Sequence, residues 1–177
     1  MQNIDLVTSD LWIGRPNIFE FQNPPGVTLN DYHEMIIKNW NSVVKKNENV
    51  LVLGNLYWDP YYISRVLPEL SGNIILLNQP HPEKNELHKE ILDHESITLY
   101  PNQYIYLIEE GIVAGLLPFE SWPGDDLNII HLHGYTIKNY SDIPNKEKRV
   151  PVGLSYWNWK PVRISEIKEL LKIKQHG

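Results

Sequence analysis

Val50-Leu51-Val52-Leu53-Gly54-Asn55 decides how the fold is read. Four apolar residues run without a polar break, stop at glycine, and hand over to a polar side chain. A strand with one wet face alternates, whereas an unbroken apolar run of this length marks a strand covered on both faces. Asn73–Leu77 reads the same way from Ile74 on, Ile4–Thr8 reads as a first strand, and Asp10 and Asn78 follow their ends as Asn55 follows the central run. Between the first two strands, Leu29–Val44 is predicted to be a helix, with Leu29, Tyr32, Ile36, Ile37, Trp40, Val43 and Val44 on one face. Thr28 supplies an N-cap and Asp31 an acidic group in the first turn. Strand and helix in alternation build a parallel sheet, whose functional loops sit at the carboxyl ends of its strands. Asp10, Asn55 and Asn78 are therefore expected to converge on one cleft.

Downstream, Tyr61–Leu70 and Glu83–Asp93 read as short helices, with Asp59 near the first one's start. Ile97–Leu99 is a strand, and Tyr104–Ile108 turns at Glu109-Glu110-Gly111 into Ile112–Leu117, a hairpin by its turn residues. Asn128–His133 and Val150–Leu154 are further strands. Ile164–Ile173 closes the chain as a helix with Ile164, Ile167, Leu170 and Leu171 inward. The expected fold class is α/β: two packed mixed β-sheets flanked by helices, parallel early and hairpin-rich late, in one domain over residues 1–177. Pro118–Asp126 and Lys138–Lys148 are the long loops, where function concentrates.

Composition narrows the functional classes. A formal charge of −6 with no basic stripe argues against bulk nucleic-acid or membrane binding. The absence of cysteine removes disulfides and thiolate metal sites. The first residues have neither the basic nor the apolar region of a signal peptide, so a cytoplasmic location is expected. Six Trp and ten Tyr must fill a core or a binding surface.

Several segments then carry a resemblance. Thr8-Ser9-Asp10 is followed by Gly14 and Asn17-Ile18, and Asn39-Trp40-Asn41-Ser42-Val43-Val44 precedes the Gly54 loop. Ile74-Ile75-Leu76-Leu77-Asn78, Ser121-Trp122-Pro123-Gly124, His131-Leu132-His133-Gly134 and Val152-Gly153 ahead of Trp159-Lys160-Pro161-Val162 complete the series. In order and spacing, over nearly its whole length, the chain resembles the calcineurin-like metallophosphoesterases, especially the small bacterial and phage members. The resemblance implies a four-layer α/β/β/α sandwich around two divalent metals that activate a water and clamp a phosphate.

The ligand positions have changed. Ser9-Asp10-Leu11-Trp12 stands for the family's Asp-x-His, Gly54-Asn55 for Gly-Asp, and Gly134-Tyr135-Thr136-Ile137 for Gly-His-x-His. By position the first metal would need Asp10, Trp12, Asn55 and Ile137, and the second Asn55, Asn78, Leu116 and Tyr135. Gln79 replaces the histidine that assists the leaving group, and Pro80 follows it. Charge has left the site together with its ligands, which avoids stranding buried anions.

The resemblance and its gaps imply a catalytically inactive pseudoenzyme, protein-binding or regulatory, with no cofactor; the likeness to phage members suggests a phage-encoded role. One alternative is a binder that sequesters a nucleotide or phosphorylated small molecule without turnover. The other is a weak phosphodiesterase using Mn or another divalent metal through an improvised set drawn from Asp10, Asn55, Asn78, His131 and His133, with His81 nearby. His131 and His133 lie two apart on a strand and could share a face, but the resemblance implies that His-Leu-His-Gly stands here without this pair serving as main ligands. Trp12, Trp122, Tyr135, Trp157 and Trp159 are expected to gather near the former site as packing. Arg15 and Arg65 are candidate phosphate contacts by residue type alone, with surface ion pairing the plainer use.

Overall fold

The computed structural model describes residues 3–26, 28–77, 91, 93–124, 127–134 and 148–176. The run around Val52 is strand β2 (Asn49–Val52), flanked in parallel by β1 (Leu6–Thr8) and β3 (Asn73–Leu77). β4 (Ile97–Tyr100) extends this sheet beside β3, and β9 (Val162–Arg163) closes its other edge antiparallel to β1. The second sheet runs β5 (Tyr104–Leu107), β6 (Ile112–Gly115), β7 (Ile130–His133) and β8 (Arg149–Pro151). The protein is thus α/β with two mixed sheets, of five and four strands.

Strand alternation separates two cores. Leu6, Val50, Val52, Ile74 and Leu76 face one way and pack with Tyr32, Ile36, Trp40 and Ile63. These come from α2 (Leu29–Asn41) and α3 (Pro60–Val66); α1 (Ile18–Phe21) is a single turn that adds Ile18. Val7, Leu51, Leu53, Ile75 and Leu77 face the other way and meet Ile105, Ile112, Ala114 and Leu132 of the second sheet. The order is helices, sheet, sheet. The last helix, α4 (Ile164–His176), sends Ile164 and Ile167 into the intersheet core. Each such fully buried aliphatic side chain contributes about 1.5–3 kcal/mol, so both faces of the first sheet are heavily anchored. Among the described residues, the outer face of the second sheet is covered by Phe119 and Trp122 from the loop after β6, not by a helix.

Several expected boundaries shift for local reasons. Thr28 and Asp31 form the full capping box, but α2 stops at Asn41 instead of Val44. Ser42 caps it, and the Val43 and Val44 N–H groups both turn back to the Trp40 carbonyl. The expected Tyr61–Leu70 helix breaks after Val66 into a 3-10 turn, Leu67–Glu69, where Pro68 disfavours continued α geometry. The β5–β6 hairpin forms through a 3-10 turn, Ile108–Glu110, ending at Gly111 with φ 64°. The remainder of that sheet corrects the expectation of late hairpins: β6, β7 and β8 run parallel. Residues 116–129 are long enough for the crossover that parallel pairing requires. β8 ends at Pro151, and Leu154 belongs instead to a 3-10 turn, Leu154–Tyr156. The expected Glu83–Asp93 helix lies outside the described residues except for Ile91 and Asp93. No described helix is long and apolar enough to cross a membrane.

Candidate functional site

The carboxyl ends of β1 and β2 bring Asp10 and Asn55 together, as the strand pattern predicts. Asn55 Nδ2 donates to Asp10 Oδ1 at 2.6 Å, and Ser9 Oγ donates to Oδ2 at 2.8 Å. Asp10 is 5% exposed. Burial drives its carboxyl up from 3.8 to about 6, against the two hydrogen bonds that pull it down. The Asp10 carbonyl accepts from Gln22 Nε2 at 3.3 Å.

The backbone here is unusual. Asp10, Trp12 and Asn55 have φ of 62°, 48° and 52°, the left-handed region that side chains other than glycine rarely enter. Each such residue stores about 1–3 kcal/mol of strain, which the surrounding structure must over-determine. Backbone bonds do so: Asp10 N–H donates to the Gly54 carbonyl, Trp12 N–H to Asn55 and Ile13 N–H to Leu56. The two loops are laced together from the first turn outward.

The second sheet reaches the same place. A Cβ on Gly134 would stand 2.4 Å from Ser9 Oγ and 2.8 Å from Leu116 Cδ1, so only glycine lets β7's end approach. A Cβ on Gly153 would lie 3.2 Å from Asp10 Oδ2, and Ser9 bridges Gly153 in parallel. Asp10, Asn55, Leu116, Gly134 and Gly153 therefore share one small region. Asn78, Gln79, Tyr135 and Ile137, together with His81, lie outside the described residues.

Trp12 is buried and belongs to the helix-side core, 6.1 Å from the Trp58 ring. Arg15 covers both rings, its guanidinium carbon 4.3 Å from the Trp12 centroid and 4.9 Å from that of Trp58. Arg65 lies 4.3 Å over Tyr61. The expected tryptophan cluster does not form as one group. Trp159 packs edge-on to Tyr32 in the helix-side core, Trp157 against the intersheet core, and Trp122 beside His131. Helix-side, intersheet and outer surfaces each hold a large ring, carried there by the separate loops and turns on which these residues sit.

His131 and His133 do share a face, their rings 5.6 Å apart, but it is the outer one. Leu132 between them points into the intersheet core. Phe119 N–H donates to His131 Nε2 at 3.0 Å, leaving Nδ1 as the protonated nitrogen, 3.3 Å from the Val113 carbonyl. Burial lowers both imidazoles to about 4, and Phe119 stacks flat on His131 at 4.6 Å. His131 holds the 117–124 loop, while His133 Nδ1 lies 3.4 Å from the Gly134 carbonyl. Asp59 accepts from Tyr61 N–H as the α3 cap.

Sequence reasoning missed three groups that brace the site. Tyr32 OH donates to the Leu11 carbonyl at 2.6 Å, and burial plus the Asp10 charge raise its pKa. Gln22 holds Asp10 from α1's end, and Gly14 N–H donates to His33 Nε2 at 3.0 Å. The one available signal was that a tyrosine on the buried face of α2 needs a partner for its hydroxyl.

The described residues at the ligand positions do not fit a pair of divalent cations. Trp12 and Leu116 offer no oxygen or imidazole donor at their ligand positions, and the bridging position holds a neutral amide whose Nδ2, not a carboxylate oxygen, meets Asp10. Among the described residues, no three His, Asp or Glu side chains stand close enough to hold a metal.

Fold and site together define an α/β two-sheet protein with a buried carboxylate–amide pair where its central strands end. No family model matches the chain. It is 27% identical over 177 residues to the uncharacterized protein MJ1445 of Methanocaldococcus jannaschii, spanning 97% of this chain and 93% of that one. Its fold is similar to the crystal structure of AQ665 from Aquifex aeolicus, a protein of unknown function, with a TM-score of 0.69, 21% identity, and coverage of 95% of this chain and 100% of that one. At that identity the likeness is one of fold.

Proposed function

We propose that this chain is a metallophosphoesterase-like pseudoenzyme, one that keeps the loops of a two-metal site without its ligands and serves as a protein-binding or regulatory module. The carrying observation is how Asp10 is engaged. Both carboxylate oxygens accept hydrogen bonds from Asn55 and Ser9, inside a region closed by Gly134, Leu116 and Gly153. Two-metal hydrolysis depends on ions to activate water and neutralise developing charge, and these residues have no set of donors for either ion. The strained φ values at Asp10, Trp12 and Asn55 fit loops inherited from a binding site. The helix–sheet–sheet order of the described residues matches three layers of the four-layer α/β/β/α sandwich taken as the parent fold.

The test is turnover of bis(p-nitrophenyl) phosphate by the purified protein with added Mn²⁺. No rate above a buffer control is expected. Turnover that disappears in Asp10→Ala would refute the pseudoenzyme reading in favour of a weak phosphodiesterase. A rise in melting temperature with ATP or AMP would instead assign the protein to nucleotide binding without turnover, because a ligand selective for the folded state stabilises it.

A further inference from the structure

A polar groove of about 390 Å³ opens between α2 and α3 on the helix layer. Both helices join neighbouring parallel strands and pack on one face of the first sheet, so they run side by side in one direction. α2 contributes His33, Glu34 and Ile37 to one wall. α3 contributes Tyr62, Arg65 and Val66 to the other, with Tyr61 exposed beside them.

The floor of the groove is fixed. His33 is 6% exposed, and its Nε2 accepts the Gly14 N–H at 3.0 Å, so the neutral imidazole carries its proton on Nδ1. Burial holds the ring below its ordinary pKa of 6.5, which keeps it neutral. Nδ1 has no partner among the described residues and is not sealed from solvent, leaving one N–H donor for whatever enters. The Tyr62 ring lies 5.0 Å from the imidazole and presses on Gly14, where a Cβ would stand 2.8 Å from Tyr62 Cδ2.

Two opposite charges line this groove without meeting. Glu34 and Arg65 come from facing helices, yet neither side chain makes an ion pair or hydrogen bond with any described residue. Arg65 lies instead on the Tyr61 ring, and Tyr61 is set edge-on to Tyr62 at 5.2 Å. Stacking engages the face of a guanidinium and leaves its N–H edge free for an anion. Two solvated surface charges would by themselves mean little. Here they flank a buried imidazole donor and a wall of tyrosine and aliphatic carbon.

We propose that the α2–α3 groove binds a free α-amino acid with an apolar side chain. Its carboxylate meets the Arg65 guanidinium and His33 Nδ1–H, its ammonium meets Glu34, and its side chain lies against Tyr62, Ile37 and Val66. One positive and one negative group favour a zwitterion, because a pure anion or cation would leave a like charge facing it. The volume sits at the small end of the roughly 300–1,000 Å³ of ligand sites, which suits one amino acid better than a nucleotide. This site goes beyond the pseudoenzyme reading, and neither depends on the other.

The probes are L-phenylalanine and L-leucine, titrated into the full chain by isothermal calorimetry. Phenylpropionate lacks the ammonium, phenethylamine lacks the carboxylate, and AMP tests a nucleotide. Saturable binding of an amino acid is expected, with both truncated analogues of phenylalanine weaker by about tenfold or more. Arg65→Gln and Glu34→Gln, both at exposed positions, should each weaken amino-acid binding by about tenfold or more. Glu34→Gln should also abolish the preference for phenylalanine over phenylpropionate, and Arg65→Gln the preference over phenethylamine. Lys46→Gln, at an exposed residue elsewhere, leaves binding unchanged. Absence of binding by both amino acids, indifference to either charge substitution, or binding of AMP alone overturns the proposal. Equal affinity of the wild-type chain for phenylalanine and phenylpropionate overturns it without recourse to any variant.

Discussion

Asp10→Asn is expected to stabilise this protein at neutral pH. In a metal-binding homologue the same change would remove a ligand. Here it replaces a buried carboxylate by an amide that makes the same contacts: its Oδ1 accepts from Asn55 Nδ2, and its Nδ2 donates to Ser9 Oγ, which has been the donor until then. The folded-state pKa is about 6 against 3.8 when unperturbed. A group whose pKa rises on folding contributes stability that is complete below its unfolded value and lost as pH climbs through the folded one. Moving from 3.8 to about 6 is worth about 3 kcal/mol at 1.36 kcal/mol per pK unit, so ionised Asp10 opposes folding by that amount at pH 7. The assay is urea unfolding of wild type and Asp10→Asn at pH 4.5 and pH 7. The variant should be more stable at pH 7 by up to about 3 kcal/mol, with most of that gap closed at pH 4.5. Other titrating groups cancel in the difference. If Asp10→Asn is destabilised at pH 7, Asp10 has a cationic partner and the reasoning is refuted.

Three further outcomes follow from the geometry. His131 and His133 are held at about 4 by burial, so the stability they contribute is present above the usual 6.5 and lost as pH falls toward 4. By pH 5 the loss is about 2 kcal/mol per imidazole, and His131→Phe should flatten the acid limb of a melting-temperature profile. Gly134→Ala forces a Cβ to within 2.4 Å of Ser9 Oγ and 2.8 Å of Leu116 Cδ1, so chemical denaturation should register a loss of about 2 kcal/mol or more. Glu48→Gln removes the charge and one of the two acceptors that meet Arg163, which ties β9 to the turn before β2, yet Arg163 is 36% exposed. Screening limits that change to under about 1 kcal/mol in 0.15 M salt.

The first half of the fold was legible because its signals are local. Val50–Leu53 and Ile74–Leu77 are continuous apolar runs, and Thr28 with Asp31 announces α2 without help from distant residues. Strand direction in the second sheet was not legible. Whether β7 lies parallel or antiparallel to β6 depends on the path of residues 116–129, which no local propensity encodes. β9 is two residues leading straight into α4, with no turn to mark it. At the site, Asp10 with Asn55 could be expected because both follow a strand's end. The Tyr32 and Gln22 contacts could not, since they join helices to a loop whose left-handed turns appear only in three dimensions. His131 and His133 were rightly placed on one face, but which face depended on the sheet that Leu132 packs against.

The central claim is that the Asp10 region cannot seat a pair of divalent cations. Metal analysis of the purified chain, followed by calorimetric titration with Mn²⁺, tests it most directly. The account predicts substoichiometric metal on purification and no saturable heat attributable to Asp10, with wild type and Asp10→Asn indistinguishable. Two Mn²⁺ per chain, bound by wild type and lost in Asp10→Asn, would contradict it.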